Sequence, residues 1–411
     1  MDRSGVPCPP WLARAIAQEG GCISFCRFMD LALHHPVHGA YGSGALRIGP
    51  HGDFATSPSL GSDFAELLGL QVLDWLEQLR GHHPSNRLSL LEMGPGEGHL
   101  AHALLSFLLE HCPECRDQLE FVLVESNPGM QQRQRECLAA VTDAIPVRWS
   151  RLEDLMASPV VGVVIAHELL DAFAVERLVF EQGTLKKLGV VLLPERSSPQ
   201  TMNLEPEIAW VSLPLDQQLV DDLAWATSRC GLQIPPDGTS EGWCSEWHPG
   251  VRPWLHQVAK ALESGVLLVV DYALEAKRYY SPSRRDGTLL AYRQQQCHQE
   301  LLRDAGQSDL TAHLCLEPLI AMAEEEGWFS HGACRQGEAL LSLGLAQRLQ
   351  ALQHMPSSQL ALALQRREAL LRLVDPAGLG EFRWIAFERS SQGPDRGATF
   401  NSRFLREPLP Q

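Results

Sequence analysis

Residues 88–100 read LSLLEMGPGEGHL, and this stretch decides the fold. A β-prone apolar run carries Glu92 near its end, and Gly94-Pro95-Gly96-Glu97-Gly98 then turns the chain. Leu100, Ala101, Leu104, Leu105 and Leu108 follow at helical spacing. Glycines at alternate positions admit backbone dihedrals closed to other residues and keep a Cβ out of the way of a ligand on the loop. Strand, glycine turn and helix make the entry to a nucleotide-type site in an open α/β sheet, although the same pattern also serves as a bare strand-to-helix connection. The spacing narrows the ligand. A dinucleotide loop reads G-x-G-x-x-G/A, whereas position 99 is His and the glycine comes one residue early. That displacement fits an adenosyl amino acid, which has no pyrophosphate to seat on a helix N-terminus. The expected ligand is S-adenosylmethionine, on a cradle of Glu92, Gly94, Gly96 and Gly98.

Working outward, residues 119–125 (LEFVLVE) form a second β-rich run that ends in Glu125. A carboxylate at the tip of the second strand of a doubly wound sheet accepts hydrogen bonds from ribose hydroxyls; the plainer alternative is an acid capping a surface strand. Ser126-Asn127-Pro128 then signals a helix start. The next run, Pro159–Ala166 (PVVGVVIA), has the continuous Val/Ile character of a parallel strand buried on both faces. It leads into HELLDAF at 167–173, where polar groups beyond the strand end should project into the ligand crevice, Glu168 and Asp171 foremost. The segment is not the zinc motif H-E-x-x-H, because its fifth residue is Asp171, and no metal is expected. A fourth parallel strand, Val266–Tyr272, precedes a long polar excursion over 273–316, read as a structureless lid that brings Tyr292, Asp309, Thr311 and His313 near substrate. A helix at 317–326, strands near 328–335 and 382–388, and a helical stretch over 337–373 complete the pattern. The fold class is α/β with a doubly wound, mostly parallel sheet.

In order along the chain, HGAYG, GDFATSP, LLEMGPGEGHL, VLVESN, HELLDAF, VVDY, GTLLAY and SDLTAH resemble the MidA family of S-adenosylmethionine-dependent methyltransferases, over roughly residues 20–390. The resemblance implies a seven-stranded sheet of the class I methyltransferase type with an inserted substrate-recognition subdomain. Mitochondrial members of that family are complex I assembly factors that symmetrically dimethylate an arginine of a core subunit. The implied partner is therefore a protein with an accessible arginine, such as a respiratory-complex subunit. Three positions depart from the family pattern. His167 replaces an Asn and alters contacts near the donor, Ala273 replaces a Gly after Asp271-Tyr272, and Gln295 stands where a His on the substrate side is expected.

Methyl transfer from a sulfonium is an in-line displacement, governed by alignment and desolvation. An arginine acceptor has a pKa above ~12 and stays protonated. Carboxylates must grip it bidentately, direct a nitrogen lone pair at the methyl, and take up the proton as the bond forms. Glu168 and Asp171 are the candidates for that grip, His313 for accepting or orienting the proton, His167 for contacting the donor, and Asp53 for lining the cleft. Two other readings stand beside this one: a nicotinamide-dependent oxidoreductase, which would want Gly or Ala at position 99, and a non-catalytic assembly chaperone that has kept the fold.

The 411-residue chain is 45% hydrophobic and 20% charged, with no apolar run near the ~20 residues that span a bilayer. A net charge of −16 argues against nucleic acid, whose phosphates need a basic surface, and suits an arginine-bearing partner. Eleven cysteines without a disulfide-like framework, together with an amino terminus lacking signal or transit features, suggest reduced thiols and a cytoplasmic protein. The C-x-x-C of Cys112 and Cys115 lacks the second pair that a structural zinc site needs. The expected organisation is a helix (11–35) and glycine-rich front segment within 1–62, a donor-binding domain of 63–181 and 256–390, an insertion of 182–255, and a tail of 391–411. The insertion carries the proline-rich stretches Pro194–Pro199 and 235–238, several tryptophans, and Glu246, a further candidate cleft acid.

Overall fold

A computed structural model describes residues 5–44, 46–49, 52–53, 55–142, 145–194, 205–390 and 400–407. Phe54 of the front turn, most of the Pro194–Pro199 stretch and most of the tail lie outside the described residues. The chain forms two compact units, one of Ile48–Leu169, Trp254–Tyr272 and Met322–Gln411, the other of Met1–Arg47, Leu170–Pro253 and Ala273–Ala321. These bounds differ from the expected ones. One break falls inside HELLDAF and another inside the front segment, so that the excursion after Tyr272 groups with Met1–Arg47 and Leu170–Pro253, while the front segment from Ile48 onward belongs to the other unit.

The first unit is a mixed α/β body on a seven-stranded sheet: β1 (Leu88–Met93), β2 (Leu119–Val124), β3 (Val147–Ser150), β4 (Val160–His167), β5 (Leu262–Asp271), β6 (Phe329–Arg335) and β7 (Arg383–Arg389). Their order across the sheet is β6-β7-β5-β4-β1-β2-β3. The five strands from β5 to β3 run parallel, while β7 is antiparallel to both β5 and β6. The apolar runs explain the interior: every residue of β1 is buried, and so is β4 from Val161 onward. Phe64, Trp75, Leu104, Leu108, Val163, Ile165 and Trp384 share one core. Burying a side chain of this size contributes roughly 1.5–3 kcal/mol. Asp63, in the first turn of the helix Ser62–His82, ties that core to the C-terminal helices, since Arg366 grips its two oxygens at 2.6 and 2.9 Å and Arg348 reaches it at 3.1 Å. The stretch 337–373 is not one helix but Gln336–Ser342, Leu345–Leu352 and Leu360–Leu373, interrupted at Gly344, whose φ is +105°, and at Pro356. Cys112 and Cys115 are joined in a disulfide, contrary to the expectation of reduced thiols, because the C-x-x-C turn brings their Cα atoms to 5.4 Å, within bridging range.

The second unit carries an antiparallel sheet of six strands, Val6–Pro7, Glu207–Leu213, Thr184–Leu192, Glu176–Glu181 and Cys244–Trp247 in that order, with Cys22–Ser24 added beside Thr184–Leu192. The single helix expected over 11–35 is two, Pro10–Gln18 and Phe25–His34. Gly20 and Gly21, at φ +88° and +83°, end the first, and the chain returns as an edge strand before Ser24 caps the second. The excursion over 273–316 is not structureless. Leu290–Arg293, Gln296–His298 and Asp309–Thr311 form a three-stranded sheet, and Ala273–Leu274 pairs with Leu314–Cys315. Its hairpin turns on Gln294 and Gln295 at φ +50° and +61°, a two-residue geometry that normally advertises itself with Asn or Gly.

Candidate functional site

The glycine turn leaves β1 as expected, but the structure gives its glycines a sharper reason. Gly94 has φ +63°, and a Cβ there would stand 2.7 Å from Leu169 Cδ1; Gly96 has φ +52°, with Ile48 Cδ1 at 3.0 Å from its would-be Cβ. Both positions therefore combine left-handed backbone with close neighbours of the same unit. Gly94 N–H donates to the Val124 carbonyl at 3.2 Å, which holds the turn to the end of β2, and the helix His99–His111 starts directly after Gly98. Glu92, one residue inside the end of β1, is 4% exposed, and its Oε2 has no hydrogen-bond partner among the described residues. Burial pushes its carboxyl up to about 8, opposed by the Ala101 N–H.

Glu125 follows β2 directly. Its Oε1 accepts the Asn127 N–H at 2.7 Å and its Oε2 accepts from Gln134 Nε2 at 3.3 Å. Burial raises its pKa, and these donors oppose the rise. Asn127 caps the helix Pro128–Leu138, accepting from the N–H groups of Gly129 and Met130, so the Ser-Asn-Pro signal is a genuine helix start.

At the end of β4, His167 is the last strand residue and is buried rather than lying beyond the strand. Burial lowers it to about 3, leaving the ring neutral, with Phe64 edge-on at 5.2 Å and Nε2 3.5 Å from Glu168 Oε1. Glu168 takes φ +49°, left-handed backbone outside glycine, which costs of order 1–2 kcal/mol. The surroundings hold it there. Its N–H donates to the Val270 carbonyl at 2.8 Å and its Oε1 accepts the Ser57 N–H at 3.4 Å. Asp271, fully buried, accepts the Leu169 N–H on Oδ2 and the Tyr272 N–H on Oδ1, which fixes the tips of β4 and β5. Sequence reasoning missed Asp271; its place as the last residue of an apolar strand was the available signal. Asp53 is half-buried in the same unit, ahead of the short 3-10 turn Ser57–Leu60.

The second unit gathers the other candidates. Asp171 is buried, and its carbonyl accepts the Ala312 N–H at 2.9 Å. Tyr292 and Asp309 are cross-strand partners, and Leu290 pairs with Thr311. Burial raises the Tyr292 hydroxyl, with Cys297, Asp309 and Asp171 adding negative field. Tyr41 of the HGAYG segment donates to Asp309 Oδ1 at 2.9 Å, so motifs 268 residues apart meet here. The His313 N–H donates to Thr288 Oγ1 at 3.1 Å, and Thr288 donates through both N–H and Oγ1 to the buried Glu246 at 3.0 Å. Burial brings His313 down to about 4, aided by Arg284 and Arg278. Glu92, the glycine turn, Glu125, His167 and Glu168 thus belong to one unit, and Asp171, Tyr292, Asp309, Thr311 and His313 to the other.

The family described as "Putative S-adenosyl-L-methionine-dependent methyltransferase" matches residues 67–334. The chain belongs to this family. Among its relatives, "Protein arginine methyltransferase NDUFAF7, mitochondrial" of Danio rerio is 25% identical across 88% of this chain and 82% of its own. The Homo sapiens protein of that name is 24% identical across 88% and 78%, and the Drosophila melanogaster homolog 26% across 91% and 83%. A solved Burkholderia thailandensis protein with S-adenosyl-homocysteine bound superposes with a TM-score of 0.77 at 25% identity, covering 98% of both chains.

The protein is an S-adenosylmethionine-dependent methyltransferase on a mixed α/β fold of the methyltransferase kind. The residues at the end of β1 are compatible with the donor: Glu92 keeps a buried carboxylate oxygen that has no hydrogen-bond partner among the described residues, and the left-handed Gly94–Gly98 turn presents no side chain at its glycines. The expectation of a cytoplasmic protein does not stand, because the named relatives are mitochondrial proteins.

Proposed function

We propose that this methyltransferase acts on an arginine side chain of a protein, by symmetric dimethylation, and that its partner is a subunit of a complex I-like respiratory assembly. The observation that carries the reading is Glu168, kept in left-handed backbone at the end of β4 by Val270, Ser57 and the Asp271-anchored turn. Strain held by several independent contacts marks a functional position. The names of the relatives supply the acceptor class. The strand order of the seven-stranded sheet supports its assignment to the doubly wound class I arrangement.

In this reading the bound donor supplies an electrophilic methyl on sulfur. Glu92, Gly94, Gly96, Gly98 and His167 hold its amino-acid end and adenosyl group, and Glu125 accepts from the ribose hydroxyls. Glu168 engages the guanidinium, which stays charged and therefore needs a carboxylate to localise a lone pair, and takes up its proton as the nitrogen–carbon bond forms and the carbon–sulfur bond breaks; Asp171 is a substrate-side acid of the second unit. His313, lowered to about 4, keeps its ring unprotonated at neutral pH and so orients the leaving proton. Asp53, Tyr292, Asp309 and Thr311 contact the substrate, and the second unit acts as the recognition subdomain. No helix among the described residues is long and apolar enough to cross a membrane.

The test is transfer from radiolabelled donor to a mitochondrial lysate, followed by amino-acid analysis of the labelled protein. Label in dimethylarginine is expected. Label in another residue overturns the acceptor, and donor binding with no transfer to any protein favours an assembly chaperone.

A further inference from the structure

Gln134 is fully buried in the helix Pro128–Leu138, yet none of the roles above uses it. Its amide has a defined orientation. Trp149 Nε1 points at Gln134 Oε1 from 2.9 Å, and an indole N–H can only donate, so the Gln134 Nε2 side must face acceptors. It faces two: the Gly96 carbonyl at 2.8 Å and Glu125 Oε2 at 3.3 Å. One amide therefore links β3, the glycine turn and the acid at the tip of β2. Trp149 is itself held, with the Arg135 guanidinium 3.8 Å above its ring. The Gln134 backbone also closes the turn from behind, its Cα standing 3.5 Å from where a Cβ on Gly98 would lie.

We propose that Gln134 is a positioning residue that fixes the Glu125 carboxylate for the donor's ribose diol and thereby sets selectivity for an intact ribose. The proposal deepens the reading of Glu125 as the ribose acceptor and rests on it. A glutamate on a strand tip has three rotatable torsions, and freezing them on binding opposes affinity. Here the freezing is done beforehand: Asn127 N–H takes one oxygen, Gln134 Nε2 takes the other, and the carboxylate keeps acceptor capacity for two neighbouring hydroxyls. The amide donor also favours the ionised form against burial. Because the same Nε2 holds the Gly96 carbonyl, the turn and the acid keep a fixed relative position, which the diol reads.

The experiment compares S-adenosylhomocysteine with its 2′-deoxyribose counterpart by calorimetry on the full chain, in the wild type and in Gln134→Leu, Trp149→Phe and Glu125→Ala. A hydrogen bond to a charged group is worth about tenfold or more in binding, so wild type should prefer the intact ribose by at least that factor. Gln134→Leu should lose roughly tenfold or more for S-adenosylhomocysteine and far less for the deoxy ligand, collapsing the preference. Trp149→Phe frees the amide to turn and should reduce the preference partially; it carries the test alone if Gln134→Leu does not fold. Equal weakening of both ligands with the preference intact, or unchanged affinity in the folded variants, overturns the proposal by leaving Gln134 a packing role. Retention of the preference in Glu125→Ala overturns the ribose assignment and the proposal with it. The arginine reading is untouched by either result, since no transfer is measured.

Discussion

Replacing Glu92 with Gln should remove a pH dependence from the stability of the ligand-free protein. The Glu92 carboxyl is 4% exposed, has one oxygen without a hydrogen-bond partner among the described residues, and is raised from 4.5 to about 8 by burial. A tenfold step in proton affinity is worth about 1.4 kcal/mol, so the gap between 4.5 and about 8 corresponds to about 5 kcal/mol at most. The sign follows from proton uptake. Between those values the folded chain keeps a proton that the unfolded chain has lost, so the stabilisation is complete below pH 4.5 and is lost as pH rises through about 8. Gln cannot ionise and shows no such loss. Urea unfolding of wild type and Glu92→Gln at pH 5 and pH 8.5 isolates the effect, because every other titrating group cancels in the difference. The variant should gain about 3–5 kcal/mol relative to wild type between the two conditions. A difference between the two proteins that is the same at both pH values would show that Glu92 does not hold an extra proton in the folded chain.

Gly96→Val should abolish S-adenosylhomocysteine binding while the circular dichroism of the fold persists, because the left-handed backbone at Gly96 and its contact with Ile48 shift the turn; calorimetric affinity equal to wild type would contradict this. Glu168→Gly should relieve the strained backbone and leave stability unchanged or higher by about 1 kcal/mol, while transfer falls at least a hundredfold with donor affinity retained. A melting temperature well below wild type would show that the left-handed residue is structural. Because His313 sits at about 4, the transfer rate should show no inflection from it between pH 6 and pH 8. An inflection near neutrality that vanishes in His313→Gln would reverse that conclusion.

The parts most legible in the sequence were those where one physical requirement dominates. Buried parallel strands demand unbroken apolar runs, and β1 and β4 supply them; left-handed turns demand glycine, and Gly94 and Gly96 supply it. The division between units was hidden because it falls between Leu169 and Leu170, inside one apolar-polar motif with no proline or glycine to mark it. The hairpin over 290–298 was hidden for a related reason: its turn is made by Gln294 and Gln295. By contrast, the break after Gln18 was readable at Gly20-Gly21, and the helical periodicity on either side masked it. Gln134 and Asp271 illustrate the hardest class. Each is a polar residue in an ordinary place, and only the donors around it, Trp149 for one and two backbone amides for the other, reveal what it holds.

A crystal structure with S-adenosylhomocysteine bound tests the donor site most directly. Both ribose hydroxyls should lie within about 3 Å of the Glu125 carboxylate, with the homocysteine end along the Gly94–Gly98 turn toward Glu92. Ligand density elsewhere, with Glu125 bonded only to Asn127 and Gln134, would contradict this placement.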